Sequence, residues 1–176
     1  MARVCSPKCA IEWAGSQEAT KHVKKAKNVE NIKARKALKT RSDWIKDTQK
    51  AFNKYIRSRD DGKPCISCNE TNPFVRDKWG GVWDCGHWKG VGAYPELRFE
   101  ELNAHRQCKS CNGASHGKAE KIREQYDANI VWRIGAEGVS SILAQANTPK
   151  KYTIDELKDL CAKFKQMTKE LEAKGV

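Results

Sequence analysis

Cys65 and Cys68 enclose two residues, and so do Cys108 and Cys111. Such a knuckle lets both sulfurs of a pair reach one ion, so two knuckles make the donor set of a tetrahedral zinc site. Redox or incidental thiols are the competing reading. The 39 residues between the knuckles exceed the span of a simple zinc ribbon, so something is inserted there. That insertion carries Asp84, Cys85, Gly86 and His87 in succession, and Asn112 directly follows the last thiol. An ion closing the four sulfurs would hold the imidazole of His87 and the amide of Asn112 beside each other.

The elements that must position these groups can be read in outline. A chain of 176 residues suits one ordinary domain, or a small module with helical additions. Its charged fraction of 32% and hydrophobic fraction of 39% fit solvated helices around a modest core. Three segments are expected: a basic, partly flexible N-terminal arm over 1–40, a zinc-clasped module with a preceding basic helix over 41–126, and a helical region over 127–176. Ser42 or Asp43 can cap a helix whose apolar side reads Trp44, Ile45, Phe52, Tyr55 and Ile56, with Lys46, Lys50, Lys54, Arg57 and Arg59 opposite. The stretch 80–88 reads as a short hairpin or a strand leaving a turn, and Pro95 opens a helical turn or two. A helix is expected from Cys111 onward, and 129–146 reads as two short helices or one broken one at Gly135 and Gly138. Thr153 and Glu156 form a capping box for a last helix with Leu157, Leu160, Phe164, Met167 and Leu171 on one seam. That seam suits packing on the protein's own core or pairing in a homodimer.

Charge narrows the partner. Between positions 20 and 59 there are fourteen lysines and arginines against Glu30, Asp43 and Asp47, so eleven of the twelve net positive charges fall in this segment. A polyanion is implied, nucleic acid first, because each neutralised phosphate releases counterions; simple solvation of a Lys-rich helix is the alternative. Residues 1–10 lack the apolar segment that secretion requires, and no run approaches membrane-spanning length. The eight cysteines are therefore expected to be reduced, in a cytoplasm, with some of them on metal.

The ordered motifs Cys-x-x-Cys, Asp-x-Gly-His and Asn-x-His-x-Gln-Cys-x-x-Cys-Asn resemble those of the HNH, or ββα-metal, nucleases. Within that group the chain is most similar to the NinG (Rap) family of lambdoid-phage recombination endonucleases, over 38–171 and including Leu97, Arg98, Phe99, Arg133, Ile134 and Gly135. It is also similar to phage junction resolvases of the endonuclease VII type, which share the thiol frame and the asparagine after the final cysteine.

The resemblance implies an α+β, mostly α fold with a small zinc-clasped HNH-like module surrounded by helices. It implies a structure-selective DNA endonuclease that cuts Holliday junctions and D-loops to 5′-phosphate and 3′-hydroxyl ends, in the host cytoplasm for a phage-encoded chain. His87 would be the general base, worth about 10² to 10⁴ in rate. Asn112 would offer its amide oxygen to Mg²⁺ or Mn²⁺, leaving Zn²⁺ purely architectural. His116, four residues on, shares the face of Asn112 if the helix is regular, or is a solvated histidine beside Gly117 and Lys118. Asn103 would tie the loop that aims the base, or be an ordinary turn residue. His105 would touch phosphate or brace the site. Lys46, Lys50, Lys54, Arg57, Arg98 and Arg106 would grip backbone phosphates.

The sequence departs from the HNH pattern in its acid ligand. Gly86 stands where a carboxylate usually precedes the base, and Asp84 lies about 6.6 Å back along a regular strand on the same face. A bulge at Gly86 or a bridging water would let Asp84 serve as a ligand; otherwise it caps a turn. Trp79, Trp83 and Trp88 pack the module or stack on bases. Cys85 and Cys161 read as small buried groups, and Cys5 with Cys9 as half a metal site. The missing acid and the large basic arm also suit a non-catalytic, zinc-stabilised DNA-binding accessory protein.

Overall fold

The structure is a computed structural model that describes residues 5–73, 81–114 and 116–175, without the side chain of His116. The chain divides into two units, Met1–Ser42 and Asp43–Val176. In the first, Ser6 caps α1 (Pro7–Ala14) by accepting from the Cys9 N–H at 3.2 Å, and Pro7 supplies a preset first turn. Ser16 caps α2 (Gln17–Ala37) in the same way at 3.1 Å. Apart from Ala19, α2 is solvated all round, as its lysines and few large apolar residues dictate.

The second unit is built on α3 (Arg41–Arg59), which starts two or three residues earlier than a Ser42 or Asp43 cap suggests. Trp44, Thr48, Ala51, Phe52, Tyr55 and Ile56 repeat at three- and four-residue steps and form one buried stripe, with Lys46, Lys50 and Lys54 exposed opposite. Phe52 is fully buried, edge-on to Phe99 at 5.9 Å and to Phe164 at 5.0 Å. Truncating such a ring to alanine costs about 3–5 kcal/mol, so this contact anchors the core.

Phe164 belongs to α6 (Ile154–Ala173), opened by the Thr153–Glu156 capping box. Leu157, Cys161 and Phe164 bury its seam against α3, and Thr48 donates to the Leu157 carbonyl at 2.9 Å. The seam is thus spent on the protein's own core.

Two strands, β1 (Trp83–His87) and β2 (Ala104–Cys108), pair antiparallel in unbroken register from Trp83 opposite Cys108 to His87 opposite Ala104. Within 81–88 the chain therefore supplies one strand, leaving a turn, of a long-range ribbon rather than a local hairpin, and no bulge interrupts Gly86. Pro95–Leu97 and Glu101–Asn103 are single 3₁₀ turns in the connection. After β2 come α4 (Lys109–Asn112) and α5 (His116–Gln145), the latter broken at Gly135, where φ is +73°. A helix running through both Asn112 and His116 is not formed, so helical spacing does not put them on one face. Because α5 crosses residue 126 and α6 packs on α3, no boundary falls there. Among the described residues no helix is long and apolar enough to cross a membrane.

Candidate metal centre and adjoining cleft

The first knuckle turns at Asn69, whose N–H reaches the Cys65 carbonyl at 3.0 Å and whose φ of +59° doubles the chain back so that the Glu70 carbonyl accepts from the Cys65 N–H at 2.9 Å. The second knuckle is the β2–α4 junction, held to the strand entering β1 by the Lys109 N–H on the Val82 carbonyl at 3.1 Å. The two meet directly, since the Cys108 N–H lies 3.3 Å from Cys65 Sγ. All four sulfurs lie within 4.8 Å of one another. Cys68 and Cys108 Sγ are 3.8 Å apart, which is about the edge of a tetrahedron with zinc–sulfur bonds of ~2.3 Å. Cys65, Cys108 and Cys111 are buried and Cys68 is exposed. Burial pushes the Cys68 thiol up to about 11, so binding a metal ion here displaces protons. The four cysteines can hold an ion such as zinc. Among the described residues no second group of three or more His, Cys, Asp or Glu donors comes so close.

Strand alternation turns Asp84 and Gly86 to one face of the ribbon and Cys85 and His87 to the other. Asp84 meets Asn112 directly, with Nδ2 donating to Oδ2 at 3.2 Å. His87 leans on Phe52, with ring centres 5.8 Å apart, and its Nε2 lies 3.1 Å from the Arg98 carbonyl. A carbonyl only accepts, so Nε2 carries the hydrogen and Nδ1 keeps its lone pair. Burial lowers the pKa of His87, the carbonyl bond offsetting only part of this, which favours the neutral ring.

His87 and Asn112 both line a cleft of about 520 Å³, together with Lys89, Gln107, Arg123 and Tyr126. Lys89 and Arg123 bring positive charge to it, a role the sequence reading missed. Runs of basic residues drew attention to α3 instead, and neither of these two lies in such a run.

Asn103 is fully buried and bonds the connection at both ends. Its Oδ1 accepts from the Lys89 N–H at 2.8 Å, and Nδ2 donates to the Lys89 carbonyl at 3.0 Å and the Leu97 carbonyl at 3.2 Å. The second of these carbonyls directly precedes Arg98, the residue that holds His87. Asn103 is thus a tie rather than a simple turn residue.

His105 is buried and closed off: Arg59 approaches Nδ1 at 3.2 Å, and Nε2 faces the Leu102 carbonyl at 3.0 Å. It braces the ribbon and presents nothing to phosphate. Arg106 corrects the sequence reading most clearly. Its guanidinium stacks on Trp83 at 3.9 Å and bonds the Asp60 carbonyl and Asp61 at 3.2 and 2.8 Å, so it is not a free phosphate contact. Arg59, read as part of the outer basic face, also turns inward, to the Glu101 and Ala104 carbonyls at 2.8 Å each. Arg98 is half-buried with Nη1 on Gln49 at 3.2 Å. Lys46, Lys50 and Lys54 are exposed and Arg57 half-exposed, Lys54 meeting Glu172 at 2.7 Å.

Asp60, directly after α3, is a buried hub. It is fully buried, accepts from Arg59 and Lys63, and takes the Arg106 N–H at 3.1 Å. Burial alone would raise its carboxyl; contacts with His105, Arg59 and Lys63 outweigh that and hold it well below the usual carboxylate range.

Cys85 and Cys161 are buried as expected. Trp88 donates to Asp127 at 2.6 Å. Trp79 and the side chain of His116 lie outside what the structure describes. The sulfurs of Cys5, just before α1, and Cys9, in its first turn, lie 3.2 Å apart.

A mostly helical α+β protein with a two-stranded ribbon and a four-cysteine metal site is the class these features define. The family model described as Bacteriophage Lambda NinG protein matches residues 1–174, and the chain belongs to this NinG family of phage proteins. It is 37% identical over 180 residues to Protein ninG of Escherichia phage lambda, covering 95% of this chain and 82% of that protein. Against Protein ninG of Salmonella phage P22 it is 36% identical over 180 residues, covering 95% and 83%. Protein ninG of Escherichia phage 933W is 38% identical over 143 residues, 81% of this chain and 65% of that protein. No solved structure gives a significant match.

Proposed function

We propose that this chain is a metal-dependent, structure-selective DNA endonuclease that hydrolyses branched recombination intermediates, Holliday junctions and D-loops, to 5′-phosphate and 3′-hydroxyl ends. The observation that carries the reading is one cleft lined by His87, its Nε2 hydrogen committed to the Arg98 carbonyl, and by Asn112, paired with Asp84. Nδ1 of His87 takes the proton from the water that attacks phosphorus. Asn103 fixes the connection that carries the Arg98 carbonyl, so the ring keeps its tautomer and direction. Lys89 and Arg123 draw the phosphodiester into the cleft. The oxygens of Asp84 and Asn112 suit Mg²⁺ or Mn²⁺, which when bound stabilises charge on the phosphoryl oxygens by several kcal/mol. The four-cysteine site is architectural. The exposed Lys46, Lys50 and Lys54 with Arg57 give a sequence-independent grip on the backbone.

A second reading, a zinc-stabilised DNA-binding accessory protein without catalysis, is favoured by one observation. The ring of His87 lies on the Phe52 side of the ribbon, away from the face of Asp84. Cleavage of a labelled four-way junction and a D-loop in Mg²⁺ or Mn²⁺ separates the two. His87→Ala is expected to lose about 10² to 10⁴ in rate while junction binding stays unchanged. Absence of cutting by the wild type, or cutting that survives both His87→Ala and Asn112→Ala, selects the accessory reading.

A further inference from the structure

Gly86 is the one residue of β1 without a side chain, and the space beside it is filled from the other strand. A Cβ built on Gly86 would overlap Oε1 of Gln107 and come within 2.8 Å of its Cδ. Gln107 sits opposite Asp84 in the register, so Gly86 is its diagonal neighbour on the same face. The Gln107 side chain therefore lies back across the ribbon, which glycine alone permits.

The amide is also clamped. Its Nε2 donates to Ser67 Oγ at 2.7 Å, within the first knuckle, and Gln107 as a whole is 5% exposed. Among the described residues no hydrogen-bond donor meets Oε1. Gln107 nonetheless lines the cleft shared by His87 and Asn112. A buried amide with its nitrogen satisfied and its oxygen left over has the form of a preset ligand for a hard cation. The neighbouring donors share this face: Asp84 is the direct cross-strand partner of Gln107, with Cβ atoms about 5 Å apart in such a pair, and Asp84 is in contact with Asn112.

We propose that Gln107, its side chain laid over Gly86, supplies through Oε1 a third oxygen ligand beside Asp84 and Asn112 for a divalent cation in this cleft. This rests on the nuclease reading above and deepens it. The ligand set crosses from one strand to the other, and the Ser67 bond links it to the first knuckle.

Mn²⁺ titration of the full, zinc-loaded chain, read from the electron paramagnetic resonance of free Mn²⁺, tests the assignment alongside junction cutting. Gln107→Met keeps the length of the side chain and removes the oxygen. It is expected to weaken Mn²⁺ binding about tenfold or more, with zinc content and thermal midpoint retained, and to regain cutting at raised Mn²⁺. Gln107→Glu keeps an oxygen and is expected to bind Mn²⁺ at least as well as the wild type. Should Gln107→Met lose zinc, Ser67→Ala decides instead: it leaves the oxygen unclamped and is expected to weaken Mn²⁺ binding to a smaller extent. Wild-type affinity in the deciding variant, with a wild type that binds Mn²⁺ and cuts, overturns the role of Gln107 and leaves the nuclease reading standing. A wild type that neither binds Mn²⁺ nor cuts overturns both.

Discussion

The ribbon is fastened at its two ends by different chemistry. Where Trp83 faces Cys108, four sulfurs converge and can hold an ion. Where His87 faces Ala104, Asp60 and Asn103 gather Arg59, Lys63, Arg106, Lys89 and Leu97 through hydrogen bonds that need nothing from outside. The first end is close to all-or-none, because removing the ion releases both knuckles together. The second is graded, because it is a sum of separate bonds. The cleft lies beside both, between a cluster of thiols able to hold an ion at one end and a buried carboxylate at the other.

Chelation is the strongest way to break that contrast. Structural zinc in small domains carries roughly 10–16 kcal/mol of apparent binding energy, so a chelator should abolish the near-ultraviolet dichroism of the ribbon tryptophans, with about one zinc per chain lost by elemental analysis. A chelator-resistant fold without zinc would put the thiols in another role.

Asp60→Ala attacks the ion-free end and should cost about 3–5 kcal/mol in urea unfolding, since the largely buried Arg59 loses its counter-charge and the buried Arg106 N–H its acceptor. Acid sharpens the same point. The carboxyl of Asp60 is held low, so its contribution is full above the ordinary carboxylate range and is lost as pH falls through it. His87 and His105 are kept neutral by burial. The unfolded chain protonates them first, so stability should begin to fall below about pH 6.5. Asp60→Ala should flatten the lower part of that curve, leave the His87 part and deepen the His105 part, because Asp60 partly offsets the burial that lowers His105.

Asn103→Ala removes bonds to both ends of the connection. A cost of about 1–3 kcal/mol is expected in urea unfolding, with a loss of junction cutting of up to about 10²-fold through misplacement of His87. A drop in stability with cutting intact would make the tie purely structural. Thr153→Ala, far from either end, should cost only about 1 kcal/mol, as a lost helix cap does. An effect as large as that of Asp60→Ala would mean that α6 governs the ribbon as well.

What could be read in the sequence was local or metrically constrained. Knuckle spacing identified Cys65, Cys68, Cys108 and Cys111, and the Thr153–Glu156 box and its seam identified α6, because each pattern is complete within a few turns of chain. The stripe of α3 was legible for the same reason. The strand pairing was not, since alternation says which face a residue takes and not which strand lies opposite. Asp60 carried no signal of its burial, because the strand it fastens through the Arg106 N–H is β2, more than forty positions on. Arg106 looked like a phosphate ligand because burial of a guanidinium depends on a neighbouring ring and acids that only folding supplies. The break after Asn112 was hidden because helical spacing alone does not reveal where a helix stops. Gly86 was read as an absence, whereas its meaning lies in Gln107.

The knot that Asn103 makes at Lys89 and Leu97 has an evolutionary consequence. It closes the base of the connection independently of its tip, so residues beyond Gly90 can lengthen without dragging the strands. Each doubling of such a span adds only about 0.6 kcal/mol of closure entropy. Natural variants and engineered fusions should therefore tolerate insertions at this tip, which makes it a practical place to attach a fluorescent reporter beside the cleft.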